Sequence, residues 1–361
     1  MKPFVNVHIR ENPDVTISYR AGKFVYEEGL RNGRWISLAT NAAGYMTSVL
    51  DHPTRVFRSD RYLGDPQSFS VNVDGQDLTC DWKYEKADVE YTENGCVCRV
   101  TLVHTLRPVT VIIQTRLDCS QILTRRIEVV NTSSGISAVS SAAPLAGCIQ
   151  EMAEVRTRAS GIEPIWRVGY MEDGWWSSEG NFQWHDLPNA IYTVCGRYAR
   201  SDHRHPMFIV ENRVTGETII GQFAWTGAWA FDFDVHADYP FDGTFLSIKM
   251  RANDPAPLRV LKPGEVYISP EAHFGMVYGG HNAAVQEMHK HIRKSVMLPP
   301  TRGICGWVQV GIGPEVDMTP EQTMRSAEFA AEIGAEIFLI DAGWFVDNID
   351  DFSVGSGEWR V

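Results

Sequence analysis

The chain has 361 residues, 33 basic and 45 acidic side chains, and a formal net charge of −12. Hydrophobic residues at 44% and charged residues at 22% exclude disordered and fibrous proteins. The acidic balance excludes nucleic acid as a main partner, because phosphate binding needs a basic face. No apolar run approaches the roughly 20 residues that cross a bilayer, and the first residues lack the apolar segment of a secretory signal. We therefore expect a cytoplasmic chain of about two or three domains, with no membrane partner.

The possible metal ligands form no familiar pattern. The seven cysteines have spacings that match no zinc-binding motif, which predicts free thiols in a reducing compartment. Cys98 alternates with Val100 and is expected to be a small buried residue. His203 and His205 would point the same way on a strand, but the sequence offers no third ligand. These residues therefore predict no metal site.

Residues 1–280 predict one β-strand after another. Residues 97–104 and 244–250 alternate between apolar and polar side chains, which is the pattern of half-buried antiparallel strands. Two runs rich in β-branched residues, 109–117 and 122–130, are joined by a connection of hairpin length. Short strands with frequent turn signals predict a large antiparallel β-sandwich.

The period then changes to that of a helix. Apolar residues at helical spacing, closed by two prolines, predict a linker helix over residues 281–302. Its basic cluster at residues 290–294 lies near the end of this helix, where cations suit the helix dipole. His289 and His291 are expected to be exposed or packed on this helix.

Residues 303–361 have the pattern of a β-α-β unit. A short apolar run is followed by a helix that Thr319 caps and Pro320 begins. Residues 336–340, a continuous apolar run after Glu336, then form a strand of the kind that is buried in parallel sheets. A domain boundary is therefore predicted near residue 300.

The end of this last strand carries the strongest functional signal. Asp341 is the first polar residue after the strand, and in β/α folds this edge collects binding and catalytic side chains. Gly343 permits a tight turn, and Trp344 offers a flat apolar face. A carboxylate accepts hydrogen bonds from two sugar hydroxyls, and an aromatic ring covers a sugar's C–H face. The residues alone leave an alternative, in which Asp341 caps the next helix and Trp344 packs in the core.

Four segments resemble, in the same order, characteristic segments of glycoside hydrolase family 36, which contains α-galactosidases and raffinose synthase relatives. They are residues 196–208 (GRYARSDHRHPMF), residues 261–271 (with LKPGE and SPE), residues 330–345 (AAEIGAEIFLIDAGWF) and residues 357–359 (GEW). The resemblance implies an N-terminal β-supersandwich, a linker helix and a (β/α)₈ barrel. It also implies retaining hydrolysis of terminal α-galactosides without a metal or organic cofactor.

The resemblance assigns substrate binding to Asp341, Trp344 and Trp359, with Trp307 as a further candidate at the end of the first barrel strand. The family pattern has two adjacent Asp residues that grip the C4 and C6 hydroxyls of galactose. The second of these is Ala342 here, which puts galactose specificity in doubt. The family's Gly-Asp-Trp element has Glu in place of Asp.

The barrel that the resemblance implies is incomplete. A (β/α)₈ barrel takes about 250 residues, whereas 361 − 302 leaves 59. In the family, the nucleophile follows the fourth barrel strand in a Lys-Trp-Asp element, and the acid/base follows the sixth. No Lys-Trp-Asp occurs in this sequence. We therefore expect a truncated barrel, an inactive chain, and a homo-oligomer in the full-length form. The side chains at residues 337–340 should lie partly uncovered, or this segment packs onto the β domain or a partner chain.

Two alternatives remain at this stage. The chain could be a non-catalytic β-sandwich module for sugar binding or oligomerisation. Ala342 also allows a related α-glycosidase of changed sugar specificity. Trp175 and Trp176 could belong to either picture, since an aromatic pair can pack in an interface or face a sugar.

Overall fold

A computed structural model describes residues 4–44, 67–153, 160–175, 178–197, 203–238, 243–298, 307–312 and 318–346. The chain divides into two compact units, Met1–Val296 and Met297–Val361. Within the described ranges, no helix combines the length and the apolar character that crossing a membrane requires.

The strands, in chain order, are β1 (Val5–Arg10), β2 (Thr16–Ala21), β3 (Phe24–Arg31), β4 (Arg34–Asn41), β5 (Ser70–Val73), β6 (Gln76–Asp77), β7 (Trp82–Thr92), β8 (Gly95–His104), β9 (Val109–Leu117), β10 (Ile122–Asn131), β11 (Ser137–Ala143), β12 (Cys148–Ala153), β13 (Trp166–Met171), β14 (Phe182–Asp186), β15 (Ile191–Gly196), β16 (Met207–Asn212), β17 (Glu217–Ala224), β18 (Trp229–Asp238), β19 (Gly243–Ala252), β20 (Arg259–Leu261), β21 (Val266–Ile268), β22 (Glu271–Tyr278), β23 (Gln309–Ile312) and β24 (Ile337–Ile340). The helices are α1 (Gly280–His291), a π-helix (Ile292–Val296) and α2 (Pro320–Glu332).

The first unit is built from antiparallel sheets, as the sequence predicted. The largest has ten strands in the order β14-β13-β16-β17-β22-β10-β9-β8-β7, with β21 beside β10. Three four-stranded sheets have the orders β1-β2-β3-β4, β20-β11-β5-β6 and β12-β19-β18-β15. A buried apolar core draws side chains from all four sheets and holds them together as a large sandwich.

Local sequence explains several of these pairings. The predicted hairpin is formed by β9 and β10, whose first cross-strand pair is Leu117 with Leu123. In the first sheet, Asn32 and Gly33 join β3 to β4 with φ angles of 48° and 74°. Two successive positive φ values are what a two-residue hairpin turn of the favoured twist requires.

The predicted alternation is confirmed in β8 and β19. Cys98, Val100 and Leu102 of β8 are buried, and so are Leu246 and Ile248 of β19. Period-two burial of this kind explains why these segments are strands with one face toward the core.

The predicted linker helix is shorter than expected and is packed on the ten-stranded sheet. Helix α1 ends at His291 and continues directly as the π-helix. Ala284 and Met288 of α1 are buried against Ile209 and Val277 of the sheet. The helix therefore belongs to the apolar packing of the first unit.

The second unit contains a β-α-β arrangement, as its sequence pattern predicted. Strands β23 and β24 pair in parallel, with Gln309 opposite Ile337. Helix α2 between them begins as predicted, since the Thr319 hydroxyl accepts a hydrogen bond from Gln322 N at 3.2 Å and Pro320 is the first helical residue.

The apolar strand of this unit is partly uncovered. Leu339 and Ile340 of β24 are 45% and 39% exposed, and Ile337 and Phe338 are half-buried. Parallel strands are normally covered on both faces. The prediction that residues 337–340 lie partly uncovered is confirmed.

Candidate functional site

The candidate site begins where β24 ends. Asp341 follows Ile340 directly and is exposed. Its Oδ1 accepts a hydrogen bond from Ala342 N at 2.7 Å, which holds the carboxylate at the start of a turn. The strand thus delivers an acceptor group to its carboxyl edge, as the sequence predicted.

The turn after Asp341 presents an aromatic side chain beside the carboxylate. Gly343 is buried and has a φ of 108°, a left-handed conformation that favours glycine. Trp344 is 38% exposed and packs edge-on against Phe345, with ring centroids 5.3 Å apart. The indole therefore keeps an exposed part next to Asp341 in the chain while a neighbouring ring supports it.

The other two predicted site residues do not join this edge. Trp307 lies two residues before β23, which pairs in parallel with β24. Trp307 is therefore at the amino edge of this sheet, whereas Asp341 is at the carboxyl edge, roughly 20 Å away along the strand direction. The expectation that Trp307 stands at the end of the first strand was wrong, because the strand begins later than the apolar run suggested. Trp359 lies outside the described residues.

The arrangement at Asp341 can bind neutral polar molecules. The carboxylate can accept hydrogen bonds from hydroxyl groups, and Trp344 can pack on an apolar ring face. Ala342 contributes no acceptor at the position where a second carboxylate was expected. Within the described part of the chain, no group of three His, Cys, Asp or Glu side chains could hold a metal ion.

The segment that suggested a histidine pair is organised around Arg204 instead. The Arg204 guanidinium donates to Glu172 Oε2 from Nη2 at 2.8 Å and from Nε at 3.0 Å, and Arg204 N donates to Asp173 Oδ1 at 2.9 Å. Burial lowers the pKa of Arg204, but the Glu172 carboxylate outweighs it and keeps the pKa above its ordinary value. Arg204, which lies between the two histidines, is thus the residue that joins this segment to residues 172–173.

A buried polar cluster under α1 was not anticipated. Asp118 Oδ2 accepts a hydrogen bond from His291 Nδ1 at 2.6 Å, and His291 Nε2 lies 2.7 Å from His273 Nδ1. Ser295 Oγ also donates to Asp118 Oδ2 at 2.5 Å, and Lys294 Nζ donates to Asp118 O at 2.7 Å. The helix end is therefore joined to the loop after β9 by the carboxylate and the backbone carbonyl of Asp118.

Electrostatics in this cluster follow from burial and pairing. Burial alone would raise the pKa of Asp118, but its hydrogen bond and charge interaction with His291 hold that pKa well below its usual range. Burial lowers the pKa of His273 to about 3. The signal that could have located His291 is its position three residues after Met288, on the apolar side of α1.

The fold of the chain is similar to that of several solved structures. No protein-family model matches the sequence, and neither does any curated protein. Among solved structures, the galactosidase domain of the α-galactosidase–sucrose kinase AgaSK superposes with a TM-score of 0.75 at 17% identity, covering 96% of this chain and 52% of that chain. The family 36 α-galactosidase AgaB from Geobacillus stearothermophilus gives a TM-score of 0.72 at 18% identity, covering 94% of this chain and 51% of its own.

A third structure is a variant of the α-galactosidase AgaA from Geobacillus stearothermophilus in complex with raffinose. It gives a TM-score of 0.73 at 17% identity and covers 93% of this chain and 51% of that chain. The chain has the fold of the N-terminal portion of a family 36 α-galactosidase. It spans about half the length of these structures.

Proposed function

We propose that this chain is part of a retaining, α-galactosidase-like glycoside hydrolase and that the edge at Asp341 binds the terminal sugar of its substrate. The observation that supports the proposal is that this fold and this site occur together in one chain. The chain shares its fold with about half the length of several α-galactosidases. The last described strand is followed by an exposed carboxylate and by an indole that packs against a neighbouring ring.

In this proposal, Asp341 accepts hydrogen bonds from sugar hydroxyls and Trp344 packs on the C–H face of the ring. We assign Trp359 to the same sugar by its resemblance to the family motif. Ala342 removes one acceptor that a galactose would use, so the sugar accepted here can differ from galactose at C4 or C6. This feature favours the second candidate function, an α-glycosidase of changed specificity.

Catalysis in this proposal needs carboxylates from outside this chain. A retaining glycosidase uses two carboxyl groups about 5 Å apart, one on each side of the scissile bond. By resemblance, these groups follow the fourth and sixth barrel strands, and the described residues of the second unit include one parallel pair. Asp341 therefore takes a role in recognition and not in bond cleavage.

The test of this assignment is turnover by the purified 361-residue chain. We expect no release of nitrophenol from nitrophenyl α-galactoside or α-glucoside by this chain, whereas a longer form that adds the fourth and sixth barrel strands is expected to hydrolyse one of them. Turnover by the chain that survives in the Asp341→Asn variant would show that its cleaving carboxylates lie elsewhere in these 361 residues.

Specificity is tested with A342D in the longer enzyme. Restoring the carboxylate is expected to lower KM for α-galactosides, since it supplies a second charged acceptor for hydroxyl groups. Ala331→Asp on the exposed side of α2 adds the same charge elsewhere and is the matched control. Equal KM values for A342D and the parent would contradict the alignment of Ala342 with the family's second Asp.

A further inference from the structure

The end of helix α1 is held on the first unit by a chain of three side chains. Asp118 Oδ2 lies 2.6 Å from His291 Nδ1, and His291 Nε2 lies 2.7 Å from His273 Nδ1. Asp118 follows β9 and His273 belongs to β22, so these contacts join the helix to two separate parts of the ten-stranded sheet. The Thr124 hydroxyl of β10 lies 3.3 Å from both nitrogens of the histidine contact.

The π-helix that follows α1 is attached to the first unit mainly through Asp118. All five residues of the π-helix are described, and none of their side chains is buried. Half-buried Ile292 makes an apolar contact, while Ser295 Oγ and Lys294 Nζ donate to the carboxylate and to the backbone oxygen of Asp118. The π-helix ends at Val296, the last residue of the first unit, so Asp118 holds the point from which the chain leaves that unit.

The contact between the two histidines holds a single hydrogen atom. One of the facing nitrogens donates it, and the other must keep a lone pair to accept it. If both rings were imidazolium ions, both facing nitrogens would carry hydrogens and would repel each other across 2.7 Å. The pair therefore accommodates one positive charge in this geometry, and a second positive charge requires the rings to separate.

The surroundings of the pair also oppose a second charge. His291 and His273 are 1% and 6% exposed, so water does not solvate an added cation there. Two neighbouring strands contribute neutral groups, Thr124 of β10 and Gln222 of β17, which is opposite His273. The elements packed against the pair carry five charged groups near it, namely Arg116 of β9, Asp118 of the following loop, Glu271 of β22, Glu287 of α1 and Lys294 of the π-helix.

The carboxylates among these groups already have partners. Asp118 Oδ1 accepts hydrogen bonds from the backbone N–H and the hydroxyl of Ser120, in addition to the bonds at Oδ2. Glu271 accepts from Arg116 at 2.6 Å, and Glu287 accepts from Gln121 N at 3.2 Å. The carboxylates are thus committed to other donors, and a second positive charge on the pair gains little from them.

We propose that Asp118, His291 and His273, which we name the helix latch, form an acid-operated conformational switch. A second proton, taken up from solvent by the histidine pair, separates the rings and releases the end of α1 and the π-helix while the sheet beneath stays folded. Burial keeps substrates away from both rings, so this Asp-His arrangement acts on conformation and not in catalysis. The inference is independent of the proposed function.

The packing of α1 allows its end to open without unfolding the first unit. Ala284 and Met288 of α1 belong to a small apolar cluster that is separate from the main buried core. Release of the helix end therefore leaves the main core covered. Openings of this kind need less free energy than global unfolding.

The direction of the pH dependence follows from the two states of His273. Burial, together with His291 and Arg116, lowers the pKa of His273 in the closed state to about 3, whereas a ring released into water titrates near 6.5. Between these values the released state binds more protons, and its population grows by up to about tenfold for each unit by which pH falls. From pH 7 to pH 5 we expect a rise of about 20-fold.

The test is hydrogen exchange of the full chain between pH 7 and pH 5, followed by mass spectrometry and corrected for intrinsic exchange rates. We expect the protection of residues 288–296 to fall about 20-fold over this range. Their exchange should be insensitive to low concentrations of urea, because a local opening exposes little surface. Exchange that rises with urea as steeply as that of β9 and β10 would show that the helix end opens only with the whole unit, and would overturn the switch.

Three variants identify the residue that titrates. His273→Gln keeps a donor and an acceptor beside His291 but binds no proton, and should reduce the 20-fold change to less than about threefold. His289→Gln removes an exposed histidine of the same helix and should retain the full change. Ser295→Ala removes one hydrogen bond to Asp118 and should raise exchange about threefold to tenfold at every pH, without altering the pH dependence.

An H273Q protein with the pH dependence of the parent would overturn the helix latch, and so would an H289Q protein that loses this dependence. Circular dichroism verifies that each variant is folded. The urea dependence of exchange in the parent decides between local and global opening without any variant, so the proposal stays testable should H273Q not fold.

Discussion

Arg125 of β10 forms a fully buried ion pair with Glu28. Arg125 lies on the same side of β10 as Leu123, Ile127 and Val129, because these residues are two positions apart. The strand pattern therefore already places Arg125 on the inward face. An inward arginine predicts a buried partner, but nothing local identifies that partner as Glu28, which is 97 positions away. The two side chains are 0% exposed and bidentate, with Nη2–Oε2 and Nη1–Oε1 distances of 2.6 and 2.9 Å.

Replacing Arg125 with Met is expected to lower the free energy of unfolding by about 3–5 kcal/mol, because Glu28 keeps its burial and loses its counter-charge. Denaturation by urea, followed by tryptophan fluorescence, measures this loss. The neighbouring Arg126→Met is the control, because Arg126 faces the other side of β10 and its pair with Glu128 is partly exposed. A double variant that also carries Glu28→Gln should recover part of the loss; an R125M protein as stable as the parent would contradict the role of the pair.

His273 and Asp118 make the first unit sensitive to acid. Burial, together with the nearby His291 and Arg116, lowers the pKa of His273 to about 3, whereas a histidine in an unfolded chain titrates near 6.5. Between these two pKa values the unfolded chain therefore binds more protons than the folded chain. The contribution of His273 to the free energy of unfolding is complete above about pH 6.5. It is lost as pH falls from about 6.5 toward 3, and Asp118 adds a further loss below its ordinary pKa near 3.9.

We expect the free energy of unfolding of the parent, measured by urea denaturation, to fall on acidification from pH 7 to pH 5. This one histidine contributes a slope of at most about 1.4 kcal/mol per pH unit. His273→Gln removes the titrating group and should flatten this slope. His289→Gln, a change on the exposed part of the same helix as His291, should leave it unchanged. Parallel slopes for H273Q and the parent would contradict the assignment of the acid sensitivity to His273.

At the level of secondary-structure elements, the sequence was informative where alternation of apolar and polar residues defines a strand or where a capping residue defines the start of a helix. Strands β8 and β19 and helix α2 follow from alternation and from the Thr319 cap. The sequence did not predict the π-helix, and no local pattern shows that His291 and Ser295 hydrogen-bond to Asp118, which lies 173 and 177 positions earlier. Trp307 was misplaced for a similar reason, since the start of β23 is set by its pairing with β24.

Close packing between β22 and the start of β10 leads to an element-scale prediction. A Cβ added at Gly275 would lie 2.1 Å from Gln121 O, a backbone atom that cannot move aside without disturbing the pairing of Gly275 with Ile122. Gly275→Ala should therefore destabilise the first unit by about 1–3 kcal/mol. A Cβ added at Gly135 would have no neighbouring atom within 4 Å. Gly135→Ala should therefore change the free energy of unfolding by no more than about 0.5–1 kcal/mol. Equal midpoints for the two variants in thermal unfolding would contradict this account of Gly275.

On the scale of the whole molecule, the order of the strands is the feature that sequence reasoning could not supply. Strand β10 pairs with its neighbour β9 and also with β21 and β22, in register pairs such as Arg125 with Ala272. Such pairings over more than a hundred residues depend on the global packing of the core, which periodicity does not encode. The resemblance to a known family anticipated the architecture where local pattern could not, because its segments recur in the same order.

The distribution of buried side chains predicts how the two units behave when separated. The residues of the main buried cluster run from Val7 to Met276 and thus belong to the first unit alone. A fragment of residues 1–296 should therefore unfold cooperatively, with a sharp urea transition and protected backbone amides in β9, β10 and β22. In the second unit, Phe329 and Leu339 are exposed, and the parallel pair formed by its described strands does not cover its own apolar faces. A fragment of residues 297–361 should show no cooperative transition and should bind the hydrophobic dye ANS. A sharp transition for that fragment, or its absence for residues 1–296, would show that the stability of the chain is not divided in this way.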